Sequence, residues 1–257
     1  MRFTIIAGPC VVENYKVCFE TARAAQSICG ELGFEFIFKS SFKKANRTKL
    51  GSFTGMSEDE AFEILREIKN KLKVPVLTDV HETGDIEKVK DFADYLQIPA
   101  FLCRQTDLLI AAGESGKWVN IKKGQFASPD SMSFAVEKVR STGNKKIMLT
   151  ERGATFGYQD LVVDFRSVPR MQEFKVPVIV DCTHSLQKPN RTSGTSGGDP
   201  AMVETLCRAA VAVGADGLFI ETHPNPAKAM SDAESMLPLK NLKKILERCA
   251  KIRKAIR

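Results

Sequence analysis

Short strand-like segments recur along the whole sequence, and stretches with helical periodicity separate them. The segments are rich in β-branched and aromatic residues, which favour strands. They are FTIIAG (3–8), FEFIFKS (34–40), VPVLTDV (74–80), ADYLQIPA (93–100), WVNIKKG (118–124), KIMLTERG (146–153), VPVIVDCTH (176–184) and DGLFIETH (216–223). Eight strands alternating with helices over roughly 250 residues match the size of a (β/α)8 TIM barrel. Because no Ser- or Gly-rich linker divides the sequence, we predict an α/β fold in which residues 1–257 form a single (β/α)8 barrel domain.

The helical stretches have recognisable starts and apolar faces. Residues 57–72 open with Ser57, and Glu60 follows three residues later, which is the sequence of a capping box. Apolar residues then recur at helical spacing, at Phe62, Leu65, Ile68 and Leu72. Residues 199–215 and 241–257 show the same periodicity. We expect the C-terminal helix to pack its apolar face against the barrel.

An open, doubly wound sheet is the structural alternative. Such sheets usually place a Gly-rich phosphate turn after the first strand, and the Gly-Pro-Cys sequence at residues 8–10 is not such a turn. In a barrel the active site lies at the carboxyl ends of the strands, and here those ends are unusually polar. The polar strand-end residues are Cys10, Lys39, Asp79, His81, Arg104, Lys122, Lys123, Glu151, Arg152, Asp181, His184, Glu221 and His223. We therefore expect the functional site at this end of the barrel.

The composition argues against several classes of function. The net charge of +7 is spread along the chain, and the chain has only 3 Tyr and 1 Trp. Few aromatic platforms for stacked bases argue against nucleic-acid binding, so we expect small anionic substrates. No segment approaches the roughly 20 apolar residues of a membrane span, and no basic-then-apolar leader precedes the first strand. Seven cysteines without a CxxC pair are typical of a reducing compartment, and we expect a cytoplasmic protein.

Four of the strand-end and loop residues have the chemistry of metal ligands. In a closed barrel the first strand lies beside the eighth and the eighth beside the seventh, so Cys10, Glu221 and His184 converge. Asp232, in the loop after the eighth strand, is a candidate fourth ligand. A thiol, an imidazole and two carboxylates suit a divalent Zn, Fe, Mn or Co ion, whereas Ca²⁺ and Mg²⁺ prefer all-oxygen shells.

Other interpretations of these residues stay open. Cys10 can be a small apolar core residue or half of a disulfide. His184 can be a buried histidine that only hydrogen-bonds its neighbours. His81 and His223 are further candidate ligands, which the sequence does not rank.

Cationic residues follow several strands, which favours phosphate binding. The second strand ends in KSSFKKANRTK (39–49), and NIKKGQF and TERG add cations after the fifth and sixth strands. Arg binds phosphate through two parallel hydrogen bonds and Lys supplies a point charge, so the pattern indicates two anionic groups. An ordinary solvated basic loop is the alternative. The Gly- and Ser-rich residues 187–200 are either a lid that cradles phosphate or a plain surface loop.

Seven motifs together carry a resemblance to a known family. They are AGPC, KSSFKKANRT, FLCRQTDLL, NIKKGQF, TERGATFGYQDLVVDFRS, DCTHSLQ and ETHPNP. In this order, from residue 5 to about residue 240, they resemble the 3-deoxy-D-manno-octulosonate-8-phosphate synthases. KANRT is the most specific motif, because the related heptulosonate-phosphate synthases carry a Lys-Pro-Arg-Thr type of sequence there.

The resemblance implies a cytoplasmic barrel enzyme that acts on small phosphorylated substrates. It would condense phosphoenolpyruvate with D-arabinose 5-phosphate and water, giving 3-deoxy-D-manno-octulosonate 8-phosphate and phosphate for the inner-core sugar of lipopolysaccharide. It also implies a homotetramer. Cys10 after AGP is typical of the metal-dependent class, whose ligands would be Cys10, His184, Glu221 and Asp232.

The same resemblance assigns roles to further residues. Those implied to hold phosphoenolpyruvate are Lys44, Lys122 and Arg152. Those implied to hold the sugar phosphate are Asn46, Arg47 and Ser196, with Arg104 contributing across a subunit boundary. Further strand-end candidates are Lys39, Asp79 and His81. The lid sequence KPNRTSG departs from the family's more glycine-rich run, which leaves its contacts open and makes Arg191 a candidate. Strand alternation places Lys122 and Lys123 on opposite sides of the sheet, and the sequence does not say which faces the site.

Two other functions fit part of the pattern. The first is a Schiff-base aldolase, in which a desolvated Lys39, Lys44 or Lys122 is the nucleophile. The second is a non-catalytic protein that binds anions or nucleic acid through its basic loops and its C-terminal helix.

Overall fold

The computed structural model describes residues 2–45, 51–156, 160–189 and 197–256. Within these residues, eight parallel strands alternate with eight α-helices, as the sequence predicts. In chain order they are β1 (Thr4–Gly8), α1 (Tyr15–Leu32), β2 (Glu35–Lys39), α2 (Glu58–Leu72), β3 (Val76–Asp79), α3 (Thr83–Val89), β4 (Tyr95–Ile98), α4 (Thr106–Glu114), β5 (Trp118–Lys122), α5 (Met132–Arg140), β6 (Ile147–Glu151), α6 (Ser167–Gln172), β7 (Val178–Asp181), α7 (Val203–Ala212), β8 (Gly217–His223) and α8 (Leu242–Ala255).

The sheet closes on itself between β1 and β8. Each barrel strand pairs in parallel with the next, and β1 also pairs with β8, with Gly8 opposite Glu221. This closure confirms the (β/α)8 barrel and excludes the open doubly wound sheet. It also explains Gly8, because a Cβ atom there would lie only 2.0 Å from the carbonyl oxygen of Lys39 on β2.

Two sequence predictions of element bounds were wrong in detail because of local turns, and one element was missed. The fourth strand ends at Ile98, since Pro99 is followed by a 3₁₀ turn at Ala100–Leu102. The helix predicted from residue 199 begins as a 3₁₀ turn at Pro200–Met202 and becomes α-helical only at Val203. An antiparallel hairpin of Ala154–Phe156 and Asp160–Val162 follows β6 and was not predicted, because its strands are short and largely exposed.

The N-cap at Ser57 and the apolar face of the C-terminal helix are confirmed. Ser57 Oγ accepts a hydrogen bond from the Glu60 backbone N–H at 3.4 Å and donates one to the Glu60 carboxylate at 2.8 Å. The helix α8 buries Leu242, Ile245, Leu246 and Cys249 in the core shared by the barrel and its helices. None of the described helices is both long enough and apolar enough to cross a membrane.

Inward-facing side chains of the strands change from apolar to polar along the barrel. One apolar layer inside the barrel consists of Ile6, Ile37, Leu77, Met148, Ile179 and Phe219. Since side chains on one face of a strand recur every second residue, the next inward positions toward the carboxyl ends follow directly. On β2, β3, β7 and β8 they are Lys39, Asp79, Asp181 and Glu221. The barrel interior is therefore filled by apolar side chains in this layer and lined by charged side chains nearer the carboxyl ends of the strands.

Candidate active site

Three predicted ligands lie together where β1 meets β8. Cys10 directly follows β1, Glu221 lies on β8, and Asp232 lies on the segment after β8. The Cys10 Sγ atom is 3.0 Å from Asp232 Oδ2, and the ligand atoms of the three residues lie within 4.8 Å of one another. They converge because the closing pair of strands puts Gly8 opposite Glu221. Asp232 has a φ angle of 48°, a left-handed conformation that Asp tolerates better than most residues.

His184 adjoins this cluster from β7. Its Nε2 atom lies 3.3 Å from Glu221 Oε2, and its Nδ1 atom lies 2.7 Å from Asp181 Oδ2. Asp181 also accepts hydrogen bonds from the backbone N–H groups of His184 and Thr183. The carboxylate therefore fixes the ring with Nε2 toward Glu221, which is the arrangement of a metal-binding histidine supported by a carboxylate.

The donor set fits a divalent cation. Burial and the carboxylates of Asp232 and Glu221 raise the pKa of the Cys10 thiol well above its usual value. A metal ion at the cluster would reverse this balance, since coordination deprotonates a thiol. All seven cysteines are free, so the disulfide alternative for Cys10 was wrong. A purely apolar role also fits poorly, because Cys10 Sγ lies 3.0 Å from the Ser231 hydroxyl as well as from Asp232.

Two lysines bring positive charge to the cluster from β2 and the segment after it. Lys39 Nζ donates to Glu221 Oε1 at 2.7 Å and to the Cys10 carbonyl oxygen at 3.0 Å. Lys44 Nζ lies 3.8 Å from Asp79 Oδ2. Although burial opposes its charge, the carboxylates of Glu221 and Asp79 raise the pKa of Lys44, so it stays protonated. Its neighbour Lys43 instead pairs with Asp85 at 2.8 Å, beside α3.

The structure separates the two consecutive lysines at the end of β5. Lys122 points into the barrel, where its Nζ lies 2.5 Å from Asp181 Oδ2 and 3.3 Å from His184 Nδ1. Burial lowers the pKa of Lys122 despite this ion pair. Lys123 points away from the barrel interior and donates to three backbone carbonyl oxygens, including that of Gly153 at 3.2 Å. Lys122 is therefore the lysine that faces the barrel interior, beside His184.

Arg152 has an unsatisfied group in the same region. Its Nη2 donates to Gln187 Oε1 at 2.8 Å, while its Nη1 is buried without a hydrogen-bond partner among the described residues. Burial lowers the pKa of Arg152, and the carboxylates of Asp181 and Asp232 oppose this effect. Because a buried donor without a partner is costly, this nitrogen points to an anionic ligand.

Asp79 belongs to a hydrogen-bonded chain across the barrel interior that sequence reasoning missed. Asp79 accepts from Ser41 Oγ and from Gln97 Nε2. Gln97 Oε1 in turn accepts from Asn120 at 2.9 Å, and Asn120 Oδ1 accepts from Thr150 at 2.7 Å. The available signal was the presence of polar residues at inward positions of four successive strands. These hydrogen bonds hold Asp79 beside Lys39, whose Nζ is 3.9 Å from Asp79 Oδ2.

Three other predicted residues lie outside the ligand cluster. His81 lies near Asp85, with its Nδ1 atom 3.7 Å from the carboxylate. His223 lies 3.4 Å from Glu13 and is not part of the ligand cluster. Arg104 is exposed and lines a surface cavity of about 530 Å³. The remaining predicted sugar-phosphate contacts are outside the described residues: Asn46, Arg47, Arg191 and Ser196.

Comparisons with known proteins agree with this architecture. The model of the DAHP synthetase I family matches residues 1–257. A protein of Fusobacterium nucleatum named 2-dehydro-3-deoxyphosphooctonate aldolase is 52% identical over 256 residues, which cover 100% of this chain and 92% of the relative. A protein of the same name from Koribacter versatilis is 49% identical over 99% of this chain and 92% of its own length. Another, from Nitratidesulfovibrio vulgaris, is 50% identical over 96% of this chain and 90% of its own length. The chain therefore belongs to the DAHP synthetase I family, alongside relatives named 2-dehydro-3-deoxyphosphooctonate aldolase.

Proposed function

We propose that this chain condenses phosphoenolpyruvate with D-arabinose 5-phosphate and water. The products are 3-deoxy-D-manno-octulosonate 8-phosphate, which is the phosphooctonate of the relatives' name, and inorganic phosphate. The relatives share about half of their residues with this chain over nearly its whole length. The reaction would serve the synthesis of the inner-core sugar of lipopolysaccharide in the cytoplasm.

The convergence of three buried cations and one partly buried cation, Lys44, beside the ligand cluster carries this proposal. These are Lys39, Lys44, Lys122 and Arg152. Lys44, Lys122 and Arg152 would bind the phosphate and the carboxylate of phosphoenolpyruvate, and the unpartnered Nη1 of Arg152 is a ready donor for one of these anions. Cations held in a dry site stabilise developing negative charge without having to reorganise.

We assign Cys10, His184, Glu221 and Asp232 to a divalent ion, of which Zn, Fe, Mn and Co suit the mixed donors. When bound, such an ion polarises a carbonyl oxygen or acidifies a water molecule. Asp181 would hold His184 in the tautomer that leaves Nε2 free as the ligand atom.

The bond changes balance without an external oxidant or reductant. Carbon 3 of phosphoenolpyruvate attacks the aldehyde carbon of the sugar, and the oxygen of water adds at carbon 2. The aldehyde oxygen takes up the proton that the water loses and becomes a hydroxyl. When the C–O bond of the resulting hemiketal phosphate breaks, phosphate leaves with the electron pair, and the hydroxyl at carbon 2 passes its proton to the departing phosphate as the carbon 2 carbonyl forms. Lys44, Lys122 and Arg152 would stabilise the charge that accumulates on the departing phosphate.

Arg104 and two exposed phenylalanines support association between copies of this chain, and the oligomer that we propose is a homotetramer. Arg104 shares its surface cavity with Phe126 and Phe134, and these rings are 57% and 63% exposed. Exposed apolar side chains grouped in this way mark association surfaces. Arg104 would then contribute to the sugar-phosphate site of a neighbouring subunit, together with that subunit's own Asn46, Arg47 and Ser196. Light scattering of the purified protein should give the tetramer mass, and a monomer would contradict this assignment.

A phosphate-release assay tests the reaction and the sugar length together. Phosphoenolpyruvate is supplied with either arabinose 5-phosphate or erythrose 4-phosphate. We expect release of one phosphate per octulosonate formed with the five-carbon sugar and much slower release with the four-carbon sugar. Equal or faster release with erythrose 4-phosphate would contradict the proposed substrate, and absence of release with both would contradict the reaction.

A Schiff-base aldolase remains the second candidate, because the lowered pKa of Lys122 is a property of nucleophilic lysines. Lys44, whose pKa is raised, does not fit that role. Borohydride trapping in the presence of each substrate separates the two mechanisms. We expect no covalent adduct at Lys122, and an adduct would favour the Schiff base.

A further inference from the structure

A buried carboxylate outside the ligand cluster bonds to two of the segments that form it. Glu13 lies three residues after Cys10, and its side chain is only 4% exposed. Its Oε1 accepts a hydrogen bond from the backbone N–H of Met230 at 2.9 Å. Its Oε2 lies 3.4 Å from Nε2 of His223. The chain therefore places both oxygens of one carboxylate against residues more than 200 positions away.

The bond between Glu13 and His223 has a defined direction. The Nδ1 atom of His223 accepts a hydrogen bond from the backbone N–H of Asn225 at 2.9 Å. A neutral imidazole whose Nδ1 is an acceptor carries its proton on Nε2. His223 therefore donates from Nε2 to Glu13 Oε2.

Each residue in this arrangement is close in sequence to a predicted metal ligand. Glu13 follows Cys10 by three residues, His223 follows Glu221 by two, and Met230 precedes Asp232 by two. The segment with Asp232 is neither helix nor strand at that point. On the C-terminal side of Asp232, the segment is held by Thr222 Oγ1, which donates to the Leu237 carbonyl oxygen at 2.8 Å. On the N-terminal side of Asp232, the segment is held by the hydrogen bond from the Met230 backbone N–H to Glu13.

We propose that Glu13 is a positioning residue for the metal centre, acting through Met230 and His223. The inference rests on the proposed metal site. A metal site needs its ligands held to within about 0.5 Å of their binding positions. Asp232 lies in a loop and itself has a left-handed backbone conformation. By tying the β1 loop, the end of β8 and the Asp232 segment together, Glu13 preorganises Cys10, Glu221 and Asp232. His184, on β7, is supported separately by Asp181.

Two variants of Glu13 and one control test this role. Glu13→Ala removes both bonds, whereas Glu13→Gln keeps an acceptor oxygen for Met230 and weakens the contact with His223. Asp94→Asn is the control, because Asp94 also accepts from a backbone N–H, that of Val76 at 2.9 Å, and from a cation, Lys69 at 2.7 Å. These bonds lie at the amino end of the barrel strands, away from the cluster.

The readout is Co²⁺ affinity, measured by competition with a chelator and followed by the thiolate-to-cobalt absorption band. We expect the Kd of Glu13→Ala to rise about 10- to 100-fold, the usual effect of losing a group that supports metal ligands. Glu13→Gln should recover part of this loss. Asp94→Asn should keep the wild-type Kd even where its thermal midpoint falls as far as that of Glu13→Ala. Phosphoenolpyruvate affinity of the metal-free protein should be equal in all four proteins.

The outcomes separate the inference from the function on which it rests. A folded Glu13→Ala protein with wild-type Co²⁺ affinity overturns the role of Glu13 and leaves the metal site standing. A Kd raised equally by Asp94→Asn also overturns it, because the effect would then follow stability alone. If the wild-type protein binds no Co²⁺, the metal site itself is wrong and the role of Glu13 falls with it.

Discussion

The carboxylate of Asp181 contacts Lys122 and His184 through the same oxygen, at 2.5 Å from the Lys122 ammonium and 2.7 Å from the His184 ring. Burial works to raise the pKa of Asp181, but the hydrogen bonds from His184 and Lys122 and the charge of the Lys122 ammonium hold it well below its usual value. One buried anion thus joins a lysine proposed to bind phosphoenolpyruvate to a histidine proposed to bind the metal.

Replacing Asp181 by Asn should weaken metal binding. The amide cannot hold the imidazole as a carboxylate does, so we expect the metal Kd to rise about 10- to 100-fold. Chelator competition on the purified protein measures this change, and far-UV circular dichroism checks the fold. Unchanged metal affinity in a folded Asp181→Asn protein would show that His184 needs no such support.

Lys122 and Lys123 form a natural matched pair of variants. Lys122→Met should lower kcat/KM about 10²- to 10³-fold, because it removes a cation aimed at developing charge. Lys123→Met removes bonds to backbone carbonyl oxygens and a 3.4 Å contact with Glu151. It should lower the thermal midpoint while leaving kcat/KM close to the wild-type value. Steady-state kinetics and thermal melts of both variants check this contrast, and equal kinetic losses would contradict the separate assignments.

Cys10→Asn should remove most of the metal affinity while the fold survives. Asn offers an amide in place of the thiolate, so the soft donor is lost. Metal content after dialysis and circular dichroism measure the two effects. A variant that retains the full metal content would show that Cys10 is not a ligand.

Asp85 should make the free energy of unfolding decrease as the pH falls into the acid range. The side chains of His81 and Lys43 lower the pKa of Asp85 against the effect of burial. The native state therefore binds fewer protons than the unfolded state below about pH 4, the usual pKa of a free aspartate. The contribution of Asp85 to the free energy of unfolding is complete above that pH and is lost as the pH falls toward the pKa of Asp85 in the native state. Asp85→Asn should remove on the order of 2 kcal/mol at pH 7 and flatten the acid limb of urea unfolding measured against pH. An unaltered acid limb would contradict this role.

The sequence predicted the barrel and the ligand cluster for one physical reason. Closure of eight strands makes β1 and β8 neighbours, which brings Cys10 and Glu221 together whatever the side-chain details. Periodicity alone could not rank Lys122 against Lys123, because the choice depends on the absolute phase of β5 relative to the barrel axis. Nor could it find the chain from Asp79 to Thr150, since hydrogen bonds between strands depend on register.

Glu13 shows a further kind of feature that sequence patterns do not reveal. It lies in an unremarkable loop, and its partners Met230 and His223 are distant in sequence. Only the three-dimensional arrangement shows that these residues adjoin the ligand-bearing segments. The predicted contacts at Asn46, Arg47 and Ser196 lie outside the described residues and stay predictions.

The proposed condensation depends on a metal ion held by Cys10, His184, Glu221 and Asp232. The most direct measurement is phosphate release from phosphoenolpyruvate and arabinose 5-phosphate by protein stripped with a strong chelator, before and after a divalent ion is added back. We predict no turnover in the stripped protein and recovery on addition of Zn, Fe, Mn or Co ions. Full activity in a rigorously metal-free preparation would contradict the metal-dependent mechanism.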